Sequence, residues 1–219
     1  HSLDRLGLSK NTMIIFTSDN GPWLNYGNHA GSAGGFREGK GTTFEGGQRV
    51  PAIFYWPGVI PSGSISNHLT ATIDIFPTLA ELLNLNLPHV KIDGLSILPM
   101  LKGALKSPIR REFYYYYRKN ALEAIRYDQW KLVFKHPGRT YTQHLPGNDG
   151  FPGTAPEDFP FPMALYNLNR DPSELYDVQE AYPEIMDKLN KLAERVRADL
   201  GDELTGVEGK GRRPIGSVN

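Results

Sequence analysis

Met13-Ile14-Ile15-Phe16-Thr17-Ser18-Asp19-Asn20-Gly21 joins an apolar run, rich in Ile and Phe, to a carboxylate, an amide and a glycine. Such a run predicts a buried strand over 12–17 that delivers Asp19 and Asn20 to its carboxyl end. Open parallel sheets hold their ligands just beyond the carboxyl ends of strands, and paired side-chain oxygens suit a hard cation, so position and chemistry agree. Twenty-one residues after Asp19 comes Lys40, flanked by Gly39 and Gly41 in Arg37-Glu38-Gly39-Lys40-Gly41-Thr42-Thr43-Phe44-Glu45-Gly46-Gly47. A lysine between glycines offers a cation on a backbone that can approach an anion closely.

At 219 residues the chain can bury a substantial core as one large domain or two small ones. Its 24 basic and 24 acidic residues cancel, so no global charge steers it toward nucleic acid or an anionic membrane, and neither is an expected partner. Cysteine is absent, which removes disulfides, thiolate metal sites and a cysteine nucleophile together. The apolar runs fall short of the roughly 20 residues of a membrane helix, and the first eight residues lack a signal-peptide layout. That opening has no methionine and resembles the tail of a helix entering a strand. It predicts a truncated chain whose first strand lacks its earlier neighbours, with exposed apolar edges that favour self-association.

From Gly21 to Gly47 neither a period of 2 nor one of 3.6 is visible, and loops of that length are usually functional. A second strand is expected over 49–56, a short extended piece over 65–70, and a helix over about 75–84, with Ile75, Leu79, Leu82 and Leu83 on one face. Composition shifts near Pro108, giving domains at 1–108 and 109–219. The later domain reads as three short strands within 111–135, a Pro- and Gly-rich loop over 136–162, a fourth strand over 164–168 and an amphipathic helix over 183–200. Residues 201–219 are expected to be loose. Arg37, Glu45 and Arg49 read as structural ties for the loop, and alternate members of the tyrosine run 114–117 as facing opposite sides of a strand.

Asn11 to Pro22, Gly27-Asn28-His29-Ala30-Gly31-Ser32-Ala33-Gly34 and Arg37 to Pro51 closely resemble sulfatases of the arylsulfatase A type. The likeness continues through Tyr55 to Pro61, Asp74 to Leu79, Gln129 to Leu132 and Leu165 to Glu174, so it covers nearly the whole chain. It implies the carboxyl half of an α/β enzyme: the closing part of a large mixed-sheet, alkaline-phosphatase-like domain, followed by a small four-stranded antiparallel sheet with one packed helix. By the same resemblance Asp19 and Asn20 are ligands of Ca2+, Lys40 is the catalytic residue that holds the sulfate oxygens of a sulfate ester, and the compartment is periplasmic, secreted or lysosomal. His29, in the same loop, either contacts the leaving group or bonds to backbone, and His136 either reaches the substrate mouth or lies on the surface.

Two side chains are too few for calcium, which takes six to eight oxygens. The family's nucleophile, a formylglycine made within Cys/Ser-x-Pro-x-Arg, has no counterpart here; at Pro108-Ile109-Arg110 the reactive position is Lys106. The resemblance therefore places the nucleophile and further ligands upstream, in an amino-terminal half that would be this chain's partner, and predicts that the 219 residues alone do not turn over. Rival readings are a non-catalytic module that binds a sulfated glycan or a partner, and a P-loop at Gly34 to Lys40, which fails at Gly41 where Ser or Thr should stand. The paired metal sites of related phosphatases need additional His and Asp ligands.

Overall fold

The computed structural model describes residues 2–143 and 145–213. Among these the chain forms two compact units, one from 2–19 and 50–111, the other from 20–49, 112–143 and 145–213. The glycine-rich loop 20–49, placed in the first domain on sequence grounds, groups with the residues after 111.

In the first unit β1 (Ile14–Thr17) pairs antiparallel with β2 (Ala52–Tyr55), so that Phe16 faces Ile53 and Ile14 faces Tyr55. The expectation of a buried strand in a parallel sheet is corrected here. The ribbon has two strands, and Phe16 and Ile53, which share a face, are 61% and 59% exposed because neither joins a buried core cluster. The helix Ile75–Leu82 starts where predicted, with Pro77 in its first turn, where a missing amide hydrogen costs nothing. Its entry is fixed by Asp74, fully buried, whose carboxylate accepts from the amides of Ala71 and Leu95, both at 2.8 Å, and from Arg110 at 2.5 Å. The extended piece expected over 65–70 forms no strand.

The second unit is built on β3 (Glu112–Tyr117), β4 (Ala121–Tyr127) and β5 (Trp130–Val133), a small hairpin of β6 (His136–Gly138) with β7 (Phe159–Phe161), and β8 (Ala164–Asn167). The main sheet is antiparallel in the order β3-β4-β5-β8, as the alternation and turn signals predicted. The hairpin was not predicted, because proline and glycine dominate its strands and mask any alternation.

The helix Pro183–Leu200 lays Leu189, Leu192, Ala193 and Val196 against Leu122, Ile125, Leu132 and Leu165 on one face of this sheet. Each large aliphatic side chain so buried contributes about 1.5–3 kcal/mol relative to exposure. The other face carries Phe44, Tyr115, Ala124, Val133, Phe161 and Tyr166. The tyrosine run divides accordingly: Tyr114 and Tyr116 pack toward the helix and Tyr115 toward the loop side. The helix stops at Gly201, whose φ of 83° lies in the region that only glycine adopts freely.

Beyond it the chain is tied down rather than loose. Asp202 is fully buried and accepts from the amides of Leu122 and Leu204 and from Arg197. The remainder of that expectation, 214–219, lies outside the described residues. Among the described residues no helix is long and apolar enough to cross a membrane.

Candidate functional site

Residues 20–49 form an irregular loop that closes on itself through backbone hydrogen bonds. Gly21 N donates to Gly47 O at 2.9 Å and Gly46 N to Arg37 O at 2.8 Å. Glycine is required where the strands of the loop touch: a Cβ on Gly46 would stand 2.2 Å from Glu38 O, and one on Gly47 2.4 Å from Thr42 O. A single helical turn, Glu45–Gln48, follows Phe44, which is buried 4.8 Å from the Phe161 ring.

Buried charges moor this loop to the sheet. Lys131 on β5 is fully buried, and its ammonium meets Thr43 O at 2.7 Å, Glu45 Oε1 at 3.1 Å and Glu174 Oε1 at 2.8 Å. Thr43 O and Glu45 Oε1 accept hydrogen bonds from the ammonium, while Glu174 Oε1 balances its charge as an ion-pair partner. Burial alone would push the ammonium's pKa down, but Glu174, Tyr115 and Glu45 hold it above the ordinary lysine range. Burial likewise pushes Glu45 up, yet Lys131, Arg126 and Arg49 outweigh it and hold that carboxyl below its usual range; for Glu174 burial wins and the pKa is raised. Arg37 completes the tie, donating to Tyr166 Oη and Glu174 O while lying 4.2 Å from the Phe44 ring centre. Arg37, Glu45 and Arg49 therefore sit in structural contacts.

Lys40 is half-buried near the middle of this loop. Its amide donates to Pro22 O at 2.8 Å and its carbonyl accepts from Tyr141 Oη at 2.7 Å and Arg139 Nη1 at 3.3 Å. The ammonium stands 5.1 Å from the Trp23 ring centre. No carboxylate among the described residues pairs with it, so a cation is held on a fixed backbone without a counter-charge.

His29 is exposed at the end of the short 3-10 segment Leu24–His29. Its Nδ1 accepts from Gly150 N at 3.0 Å and lies 2.8 Å from Asn28 Oδ1, which leaves Nε2 without a partner among the described residues. His136 differs. It is buried on β6, with Nδ1 2.7 Å from Phe134 O and Nε2 3.2 Å from Glu123 Oε2, so both ring nitrogens are engaged inside the unit. A carbonyl only accepts, so Nδ1 carries a proton, and Nε2 faces a carboxylate that itself accepts from Thr43 Oγ1 at 3.1 Å. Burial pushes Glu123 up to about 7 and His136 down, the pattern of one proton shared between two groups.

Asp19 is exposed and Asn20 partly so; they are consecutive, one closing a segment of the first unit and the other opening a segment of the second. Their oxygens suit a hard cation in kind but not in number. Among the described residues no group of three or more His, Cys, Asp or Glu side chains is placed to hold a metal. Sequence reasoning singled out Lys40, Asp19, Asn20, His29 and His136 but missed Lys131, Glu174 and Glu123, the buried partner of His136. Lys131 carries a signal, a lone lysine inside Trp130-Lys131-Leu132-Val133; Glu174, in a polar turn, carries none.

Residues 1–85 match the family described as Sulfatase, and residues 109–208 the one described as the C-terminal region of aryl-sulfatase. N-acetylgalactosamine-6-sulfatase of Mus musculus is 38% identical over 208 residues, covering 89% of this chain and 39% of that protein. Arylsulfatase A of Bos taurus is 35% identical over 210 residues, covering 91% of this chain and 40% of that protein. Among solved structures, the PsFucS1 sulfatase from Pseudoalteromonas sp. superposes with a TM-score of 0.73 at 30% identity, over 90% of this chain and 38% of that one. The chain thus spans about two fifths of the length of the curated relatives it matches.

Proposed function

Since the chain belongs to the sulfatase family, we propose that it forms the part of a sulfate ester hydrolase that grips the sulfate group through Lys40. The observation that carries this reading is the ammonium of Lys40, unpaired and held on a loop whose backbone is pinned on both sides of the residue. Such a cation binds the ester's sulfate oxygens and offsets the charge that develops as the sulfur–oxygen bond breaks, at little reorganisation cost because the loop is already ordered. His29 is exposed with Nδ1 held between Gly150 N and Asn28 Oδ1, and its Nε2 is suited to meet the departing alcohol oxygen. His136, with both nitrogens committed, supports the wall of the loop through Glu123 and Thr43 instead of reaching the substrate.

In this reading Asp19 and Asn20 supply two oxygens to a calcium ion whose other ligands come from outside the 219 residues, and the ion when bound would supply positive charge to the reaction. The formylglycine nucleophile likewise comes from outside them, and the chain alone does not turn over. The uncovered apolar face of β1 and β2 supports a covering partner, the rest of the enzyme or a second copy of this chain.

Titration with inorganic sulfate, followed through the Trp23 indole 1H–15N resonance, tests the site: the resonance shifts saturably in the wild type and not in Lys40→Ala. An identical response in both proteins refutes the assignment of Lys40. An aryl sulfate assay with calcium tests the second part, and sustained product release by the 219 residues overturns it.

A further inference from the structure

Glu38 is a buried glutamate held at φ 61°, in the left-handed region that side chains other than glycine, asparagine and aspartate rarely adopt. Strained backbone of this kind persists only where surrounding contacts over-determine it, and such positions cluster at functional sites. Here both carboxylate oxygens are engaged: Oε1 accepts from Thr140 Oγ1 at 2.8 Å and Oε2 from Tyr141 N at 2.6 Å. Thr140 is locked further, its amide donating to Pro156 O at 3.0 Å and its hydroxyl accepting from Thr142 N at 3.2 Å. The segment 140–142 is thereby fixed against the loop two residues before Lys40. Tyr141 then returns the contact through its hydroxyl, which donates to Lys40 O at 2.7 Å.

We infer that Tyr141, latched by Glu38, is a positioning residue that fixes where the Lys40 ammonium meets an anion. The inference rests on the sulfate-gripping reading of Lys40. With Pro22 O accepting from the Lys40 amide, the two peptide planes that bracket Lys40 are both pinned, and the side chain alone remains to move. Arg139 reinforces the contact without replacing it: Nη1 lies 3.3 Å from Lys40 O, while Nε and Nη2 are both 2.8 Å from Glu157 Oε1. Glu38 and Tyr141 also line a cleft of about 320 Å³ with Leu24, Phe36 and Arg37, so the latch borders open space that a ligand can enter. A hydroxyl that only stabilised the fold would be indifferent to the anion; one that positions Lys40 is coupled to it.

The test uses the 219-residue chain, Tyr141→Phe, Lys40→Ala and the double variant, with inorganic sulfate as probe and Trp23 indole resonances as readout. Removing one neutral hydrogen bond changes an equilibrium by roughly fivefold. Tyr141→Phe is therefore expected to weaken Lys40-dependent sulfate binding by about that factor, to speed amide exchange at 39–42, and to shift the unfolding equilibrium by no more than the same factor. In the Lys40→Ala background the same change is expected still to speed amide exchange at 39–42, because the hydroxyl holds the carbonyl of residue 40 and not its side chain. Unchanged sulfate affinity in Tyr141→Phe overturns the inference. If the wild type shows no Lys40-dependent response, the functional reading itself falls, and exchange at 39–42 then judges the latch alone: faster exchange in Tyr141→Phe supports it and unchanged exchange overturns it. Should Tyr141→Phe fail to fold, Glu38→Gln, which keeps one acceptor, carries the same comparison.

Discussion

Replacing Lys131 by Met is expected to unfold the second unit at much lower denaturant than wild type, because it takes the ammonium from two buried carboxylates. Lys131 and Glu174 are fully buried and Glu45 nearly so, and the ammonium is the shared partner of both acids at 2.8 and 3.1 Å. Removing one member of a buried ionic cluster costs about 3–5 kcal/mol, far more than a surface pair. For a unit of this size that corresponds to a fall of about 10 °C or more in Tm.

The loss must also depend on pH. Burial already raises the folded-state pKa of Glu174 above the unfolded value of 4.5, and loss of the Lys131 charge that opposes it raises it further, while Glu45 keeps Arg126 and Arg49 as partners. A carboxyl with a raised folded pKa loses stability as pH rises from the unfolded pKa toward the folded one, so the penalty is smaller at pH 5 than at pH 7.5. Urea unfolding of wild type and Lys131→Met at both pH values measures this. The triple change Lys131→Met, Glu45→Gln, Glu174→Gln removes the carboxylate charges and should recover most of the loss. A penalty below about 1 kcal/mol at pH 7.5, or one independent of pH, would refute the reasoning, since it would put the cluster in the class of exposed pairs.

The Glu123–His136 pair sets a second pH dependence. Just below 6.5, the ordinary imidazole value, the unfolded chain carries a proton on His136 while the folded chain holds one on Glu123 and His136, pushed down by burial, is neutral, so the pair adds little slope there. Above 6.5 the unfolded chain gives up its proton while Glu123 keeps one to about 7, and stability falls with rising pH; thermal melts of Glu123→Gln, which mimics the protonated acid, should lack that fall, and superimposable curves would contradict it. Gly46→Ala should destabilise the loop by at least a few kcal/mol, because its Cβ meets two backbone oxygens at 2.2 and 2.4 Å; an unchanged urea midpoint would show that the loop opens freely. In the first unit Asp74→Ala should cost about 3–5 kcal/mol by leaving Arg110 without its carboxylate and two amides without their acceptor, and a loss confined to tenths would argue that water replaces the carboxylate.

The parts of the fold legible in the sequence are those whose signal is local. Ile185, Leu189, Leu192, Val196 and Leu200 recur at helical spacing, and the helix forms over the span they mark. The four main-sheet strands are bounded by turn residues and contain β-branched or aromatic side chains, and they pair as expected. For β1 the composition was read correctly as a strand and incorrectly as a buried parallel one, because composition does not say which strand lies beside it. Within the candidate site, Lys40 stood out by its glycine neighbours. Of the groups that hold its loop, Lys131 is marked only by its apolar neighbours, and Glu38 and Glu174 are ordinary charged residues until the fold removes them from water.

The bond from Glu45 N to Glu174 Oε2 joins positions 129 residues apart. During translation the segment that carries Lys40 leaves the ribosome long before Lys131 and longer still before Glu174, so it emerges with an acidic side chain destined for an interior that has not been synthesised. Contacts of such separation form late. The anion grip would thus be among the last features to mature, and chains released before the turn at Glu174 would expose it, unfinished, to proteases and chaperones.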